Sequence, residues 1–217
     1  MVDIFDEVEE DLRSDRARAL ARRYGALVIA LAVLVVIAAG AWEAWRWYKA
    51  KQRAEVATAY VAAMRLEAGS DAESKLKARA AYDKVAAMGS DGYRTISRLR
   101  EASLAADAGD MERANVLWDQ VAGDGATDSL YRDLAGLVAV QRQIDKGDPK
   151  QLMSRLTPML NAENPWNALA REAQALLQMR AGEVDSARKT LRDLTSDVTT
   201  PTGVRGRANL LLAKLGD

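Results

Sequence analysis

The hydrophobic positions of this chain fall into two regimes. From Gly25 to Trp42 it reads GALVIALAVLVVIAAGAW, eighteen positions without a charge. At about 1.5 Å per residue, a helix of that length covers about 27 Å, close to the hydrocarbon thickness of a bilayer. Tyr24 stands at one end and Trp42, Trp45, Trp47 and Tyr48 at the other, where amphipathic rings favour the headgroup layer. A buried core helix of this length would carry polar positions and would not confine its aromatics to the flanks. The rival is a cleaved signal peptide, because Ala38, Ala39, Gly40 and Ala41 resemble a small-residue cleavage site. The long acidic arm that precedes the run argues against it, since signal peptides open with short basic segments. The expectation is an uncleaved signal-anchor helix over 24–42.

The arm, residues 1–23, has Ile4, Phe5, Val8 and Leu12 at helical spacing, with Glu9 four residues before Arg13 and Asp15 three before Arg18. This predicts a short amphipathic, charged helix that extends the membrane helix. Arg13, Arg16, Arg18, Arg22 and Arg23 flank one side of the span, and Arg46, Lys49, Lys51 and Arg53 the other. The near balance makes charge bias a weak guide. The doublet Arg22-Arg23 abuts the span, and large domains translocate largely regardless of charge, so the arm is expected in the cytosol and the larger domain outside.

Beyond the span the second regime is helical throughout. Residues 43–69 are expected to form a juxtamembrane stalk helix that merges into the first repeat and stops at Gly69, with the main domain over 70–217. Within it LKARAAYDKVAAM, MERANVLWDQVAG, PKQLMSRLTPMLN and VDSARKTLRDLTS superimpose, each with a small residue or Leu four positions before a large one. The pairs are Ala78/Tyr82, Ala114/Trp118, Leu152/Leu156 and Ala187/Leu191, and their first members are 36, 38 and 35 residues apart. That is the period of a helix-turn-helix unit. Gly109-Asp110, Gly147-Asp148 and Gly182-Glu183 precede the small position, where Gly can end helix A in a left-handed conformation and an acid can open helix B. The small residue lets helix B approach helix A, and the large one fills the space between neighbouring repeats. All eight are expected to be packing residues.

Composition narrows the function. Lys+Arg and Asp+Glu both total 31, which gives no basic face for nucleic acid. Cysteine and histidine are both absent, which removes disulfides, thiolate and imidazole metal ligands and the commonest general base at neutral pH. No catalytic, cofactor-binding or metal-binding residues are expected, and the chain is read as a non-enzyme.

The Gly-acid turn and the Ala-then-aromatic spacing of AGDMERANVLWDQVA resemble a tetratricopeptide repeat array. The resemblance implies an all-α fold: a right-handed α-solenoid of about four helix pairs, with RGRANLLLAKLG as a solitary C-terminal capping helix. The third repeat departs most, with Leu152 in place of the small residue and Pro149 and Pro158 around its helix B. Stacked pairs leave a concave face lined by the A helices. The alignment puts Ser103, Leu137, Gln141, Ile144, Glu172, Leu176 and Met179 towards that face, although a slip of one position would turn any of them into the interhelical core.

The opening DIFDEVEEDLRSDRARALARRYG and the WEAWRWYKAKQ after the span further resemble the bacterial ancillary subunit of the Sec translocon. That resemblance implies a single-pass inner-membrane protein with a cytoplasmic N-terminus and a periplasmic repeat domain. It also implies a scaffold that links the secretion channel to periplasmic chaperones and client proteins. The alternative is an envelope-assembly or cell-division adaptor that recruits a periplasmic partner through the repeats.

Overall fold

In the computed structural model, residues 4–216 are described, with the side chains of residues 4–21, 25, 28 and 91 left aside. The apolar face and ion pairs expected for the N-terminal arm, from Ile4 to Arg18, lie outside the described side chains. Among the described residues all regular structure is helical. In chain order the helices are α1 (Ile4–Glu67), α2 (Ala72–Met88), α3 (Asp91–Asp107), α4 (Met111–Ala122), α5 (Ser129–Gln143), α6 (Pro149–Leu156), α7 (Asn167–Arg180), α8 (Val184–Ser196) and α9 (Thr202–Lys214). The chain divides into two compact units, Met1–Ala54 and Glu55–Asp217.

The first unit is the apolar part of α1. Leu27, Ile29, Val36 and Ile37 are 64–71% exposed, so none of the described residues covers them. By length and composition this helix is long and apolar enough to cross a membrane.

In the second unit the last turns of α1 act as helix A of the first pair, and α2, α4, α6 and α8 are the B helices. Asp71, Asp110 and Asp148 cap α2, α4 and α6, accepting from the backbone N–H groups of Ser74, Arg113 and Gln151 at 2.7, 3.2 and 3.3 Å. Gly109 and Gly182 take φ of 83° and 80°, the left-handed conformation that turns helix A into helix B without the Cβ clash another residue would suffer.

Gly147 differs from the expected turn. It is not left-handed; α5 ends in a turn whose Lys146 and Gly147 N–H groups both bond the Gln143 carbonyl, at 3.0 and 2.7 Å. Its glycine is required for space: a Cβ there would lie 2.9 Å from Leu152 Cδ1 and 3.2 Å from the Gln143 oxygen. Leu152 occupies the position that is Ala in the other repeats, so the glycine at this turn leaves the room that the larger helix B side chain takes. Pro149 sits in the first turn of α6, where its missing N–H has no partner to lose. Pro158 lacks the N–H that would continue the helix, and the chain tightens after Leu156 into a 3₁₀ turn over Thr157–Leu160 that still buries Met159.

The core is a row of clusters, each built from three successive helices. Ala63, Ala78, Tyr82 and Leu104 join α1, α2 and α3. Ala102, Ala114, Trp118 and Ala135 belong to the cluster of α3, α4 and α5. Leu137, Leu152, Leu156 and Leu177 continue it through α5, α6 and α7, and Ala175, Leu191, Val204 and Leu212 through α7, α8 and α9. The eight packing positions read from the repeat, Ala78, Tyr82, Ala114, Trp118, Leu152, Leu156, Ala187 and Leu191, are all between 0 and 3% exposed. The Tyr82 hydroxyl donates to Glu67 at 2.5 Å, and burial together with that carboxylate pushes the phenol well above its ordinary pKa.

The Gly147–Leu152 contact predicts coupling. Gly147→Ala should cost about 1–3 kcal/mol of unfolding free energy through overpacking. In a Leu152→Ala background the same change should cost markedly less, because the opposing methyl is gone. Denaturant melts of the two single variants and the double variant give the coupling; additive costs would show that the glycine serves some other purpose.

Candidate protein-binding surface

The A helices α3, α5 and α7 lie side by side, with α9 beside α7 in the place a further A helix would take. This row defines the face on which the sequence places seven residues. Ser103, Gln141 and Leu176 occupy equivalent positions in successive repeats. Gln141 is exposed, and Ser103 and Leu176 are half-buried. The Ser103 hydroxyl is satisfied within its own helix by the Leu99 carbonyl at 3.1 Å. Ile144 and Met179 are both half-buried, and Ile144 also packs against the α5–α6–α7 cluster.

Leu137 and Glu172 require correction as surface residues. They stand 35 residues apart at one repeat position and are 1% and 7% exposed. The cause is common to both: this position faces the next A-type helix along the row. Leu137 is part of the α5–α6–α7 core, and Glu172 receives a two-pronged ion pair from Arg207 of α9, with Nε at 2.5 Å and Nη2 at 2.6 Å. The accessible stripe is therefore Ser103, Gln141, Leu176, Met179 and the outer part of Ile144.

Arginines fix the C-terminal ends of these helices. Arg142 of α5 donates to Asp107 at the end of α3 at 2.7 Å. Arg180 of α7 donates to the Ile144 carbonyl at 2.5 Å and to the Gly147 carbonyl. Both meet the electronegative end of the preceding A helix, where a cation is favoured. The stripe is thus edged by charges that are already paired, and its accessible members are uncharged.

The structure adds a feature that the repeat alignment did not single out. A cavity of about 500 Å³ opens between the N-terminal ends of α3 and α5, lined by Tyr93, Ile96, Thr95, Thr127, Asp128 and Tyr131. The Thr95 and Thr127 hydroxyls bond each other at 3.0 Å beneath it. Tyr93 and Tyr131 are 38 residues apart, the same interval as Gly109 to Gly147, and that shared spacing was the signal available in the sequence. Among the described residues no group of three or more carboxylates is placed to hold a metal ion.

Tyr24, Trp42, Trp45 and Trp47 are 47, 66, 56 and 66% exposed on the apolar unit. Three of these rings carry cations: Arg23 lies 5.7 Å from the Tyr24 centroid, Lys49 4.9 Å from Trp45 and Lys51 5.7 Å from Trp47.

A helix-pair array with an accessible A-helix stripe defines a class of interaction scaffold that typically performs no catalysis. The family of the tetratricopeptide repeat-like domain matches residues 18–130, and the chain belongs to that family. No curated protein and no solved structure matches the chain.

The Glu172–Arg207 pair joins the last A helix to the cap and can be tested directly. Arg207→Ala leaves a buried carboxylate without its partner and should cost about 1–3 kcal/mol, read from chemical denaturation. Glu172→Leu combined with Arg207→Leu should recover much of that loss, because no charge is then buried alone. A double variant as unstable as Arg207→Ala would mean that the pair is not what holds α9.

Proposed function

We propose that this protein is a membrane-anchored scaffold that recruits other proteins through its repeat domain and serves the Sec secretion channel. In this reading α1 spans the bacterial inner membrane from a cytoplasmic N-terminus, and the repeats face the periplasm, where they meet chaperones and client proteins. The observation that carries the anchoring is the uncharged run Gly25–Trp42, whose described side chains are exposed and which is bounded by exposed aromatics. Protein binding is supported by membership of the tetratricopeptide repeat-like family and by the accessible stripe on the A helices. The link to the secretion channel is supported by the resemblance of the arm and of WEAWRWYKAKQ to the translocon's ancillary subunit. Recognition of the channel through the membrane helix follows from that reading, while the repeats remain available to periplasmic partners.

The test is a mild-detergent pulldown of the tagged full-length chain from native membranes, beside a version whose Gly25–Trp42 is replaced by an unrelated membrane-spanning helix. Translocon subunits, identified by mass spectrometry, should be recovered with the native helix and lost with the replacement. Absence of the channel from both, with one periplasmic protein recovered equally by each, would replace this reading with that of an envelope adaptor.

A further inference from the structure

The segment after the apolar run adds to its anchoring aromatics a cluster of cations that neither anchoring nor protein binding requires. From Trp42 to Ala54 it holds four cations, Arg46, Lys49, Lys51 and Arg53, against one acid, Glu43. Trp42, Trp45, Arg46, Lys49 and Arg53 stand at i, i+3, i+4, i+7 and i+11, so they share one side of α1 within about 100° of arc. All five are exposed, and all lie within the first compact unit. The Arg46–Glu43 pair is long at 3.4 Å, and its side chains are 65 and 70% exposed, so it holds Arg46 only weakly.

The indoles and cations are paired in a way that leaves the cations able to bind. Lys49 rests over Trp45, and Lys51 over Trp47. An ammonium has three N–H donors, and an aromatic face takes one side of it while the other side is open to an anion. The guanidinium groups of Arg46 and Arg53 present planar forks that match phosphate oxygens. Arg46 to Arg53 covers about 10 Å of helix axis, and the long side chains can bend back along it, so the three cations of this side, Arg46, Lys49 and Arg53, reach a headgroup layer about 5–8 Å thick, while Lys51 lies on the opposite side of the helix.

We propose that this face of α1 binds the phosphodiester headgroup of an anionic glycerophospholipid, with the indoles at the boundary of the acyl chains and the Arg and Lys side chains on the phosphate. The proposal rests on the membrane-anchored reading above. Neutral lipids share the phosphate but carry a cation of their own, which the three basic side chains of this face repel. The face therefore selects for net negative headgroups.

The test uses the full chain reconstituted into vesicles of phosphatidylcholine and phosphatidylglycerol in equal parts. The vesicles are floated on a density gradient and extracted in mild detergent, and the lipid retained on the protein is quantified by mass spectrometry. The wild type should retain phosphatidylglycerol severalfold over its bulk ratio. A variant with Arg46→Gln, Lys49→Gln and Arg53→Gln should fall to the bulk ratio, each lost cation contributing up to about fivefold, whereas Lys51→Gln, on the opposite side of the helix, should keep most of the enrichment. Glu43→Gln should move the ratio the other way by removing the competing acid. A wild type that floats but retains lipid at the bulk ratio, a triple variant that keeps the enrichment, or a Lys51→Gln variant that loses as much of it as the triple variant overturns this proposal alone. A chain that does not float overturns it together with the membrane reading.

Discussion

A helix pair in this domain cannot enclose its own apolar surface, and the rest of the structure depends on that. Ala114 lets α4 approach α3, and Trp118 one turn later fills the space that opens towards α5. The same construction puts Tyr82 between α1, α2 and α3, and Leu191 between α7 and α8 with α9 behind them. Each cluster is completed by the first helix of the following pair, so stability passes from neighbour to neighbour along the row. The consequence at the end of the chain is α9. Without Val204, Ala208 and Leu212 of that helix, the apolar side of α7 and α8 would have nothing to cover it.

Polar contacts follow the same rule of one repeat to the next. Arg142 reaches Asp107, Arg155 reaches Asp119 at 2.9 Å and Arg207 reaches Glu172, across 35, 36 and 35 residues. The first two are surface pairs that add little individually, whereas Arg207 partners the buried Glu172 carboxylate. The early repeats add a partly buried network. Glu101, at 3% exposure, accepts from Arg113 at 2.9 Å, and Arg113 also binds Asp83 at 3.1 Å. Burial raises the Glu101 pKa and Arg113 opposes the rise, so the carboxylate is held by its partner in a place that would otherwise suit an apolar side chain.

What the sequence made legible follows from how local each constraint is. The Ala/Trp and Ala/Tyr spacings report volumes within one helix pair, and a single periodicity exposes them. Gly109 and Gly182 were legible because a left-handed turn demands glycine wherever it occurs. Gly147 shares their place in the repeat but answers a different requirement, room for Leu152, which becomes visible only when the two side chains are seen in space. Leu137 and Glu172 were misplaced for a related reason. The helix that covers them belongs to the next repeat, and counting within one repeat contains no information about it. Tyr93 and Tyr131 carried the repeat interval, but in the A helices, which vary more than the B helices on which the alignment was built.

The two units differ in how their apolar side chains are covered. From Leu27 to Ile37 the helix exposes Leu, Ile and Val all round, a surface that is unfavourable in water and favourable in hydrocarbon. From Val56 onwards the buried positions recur on one side only, at Val56 and Ala63, as a helix packed in an aqueous domain requires. The change of pattern falls within one helix, α1, and the aromatic and basic residues from Trp42 to Arg53 occupy the interval between the two regimes. A segment there is too charged for hydrocarbon and too aromatic to be an indifferent linker. Its side chains suit the headgroup layer, where apolar ring and charged tip can both be satisfied.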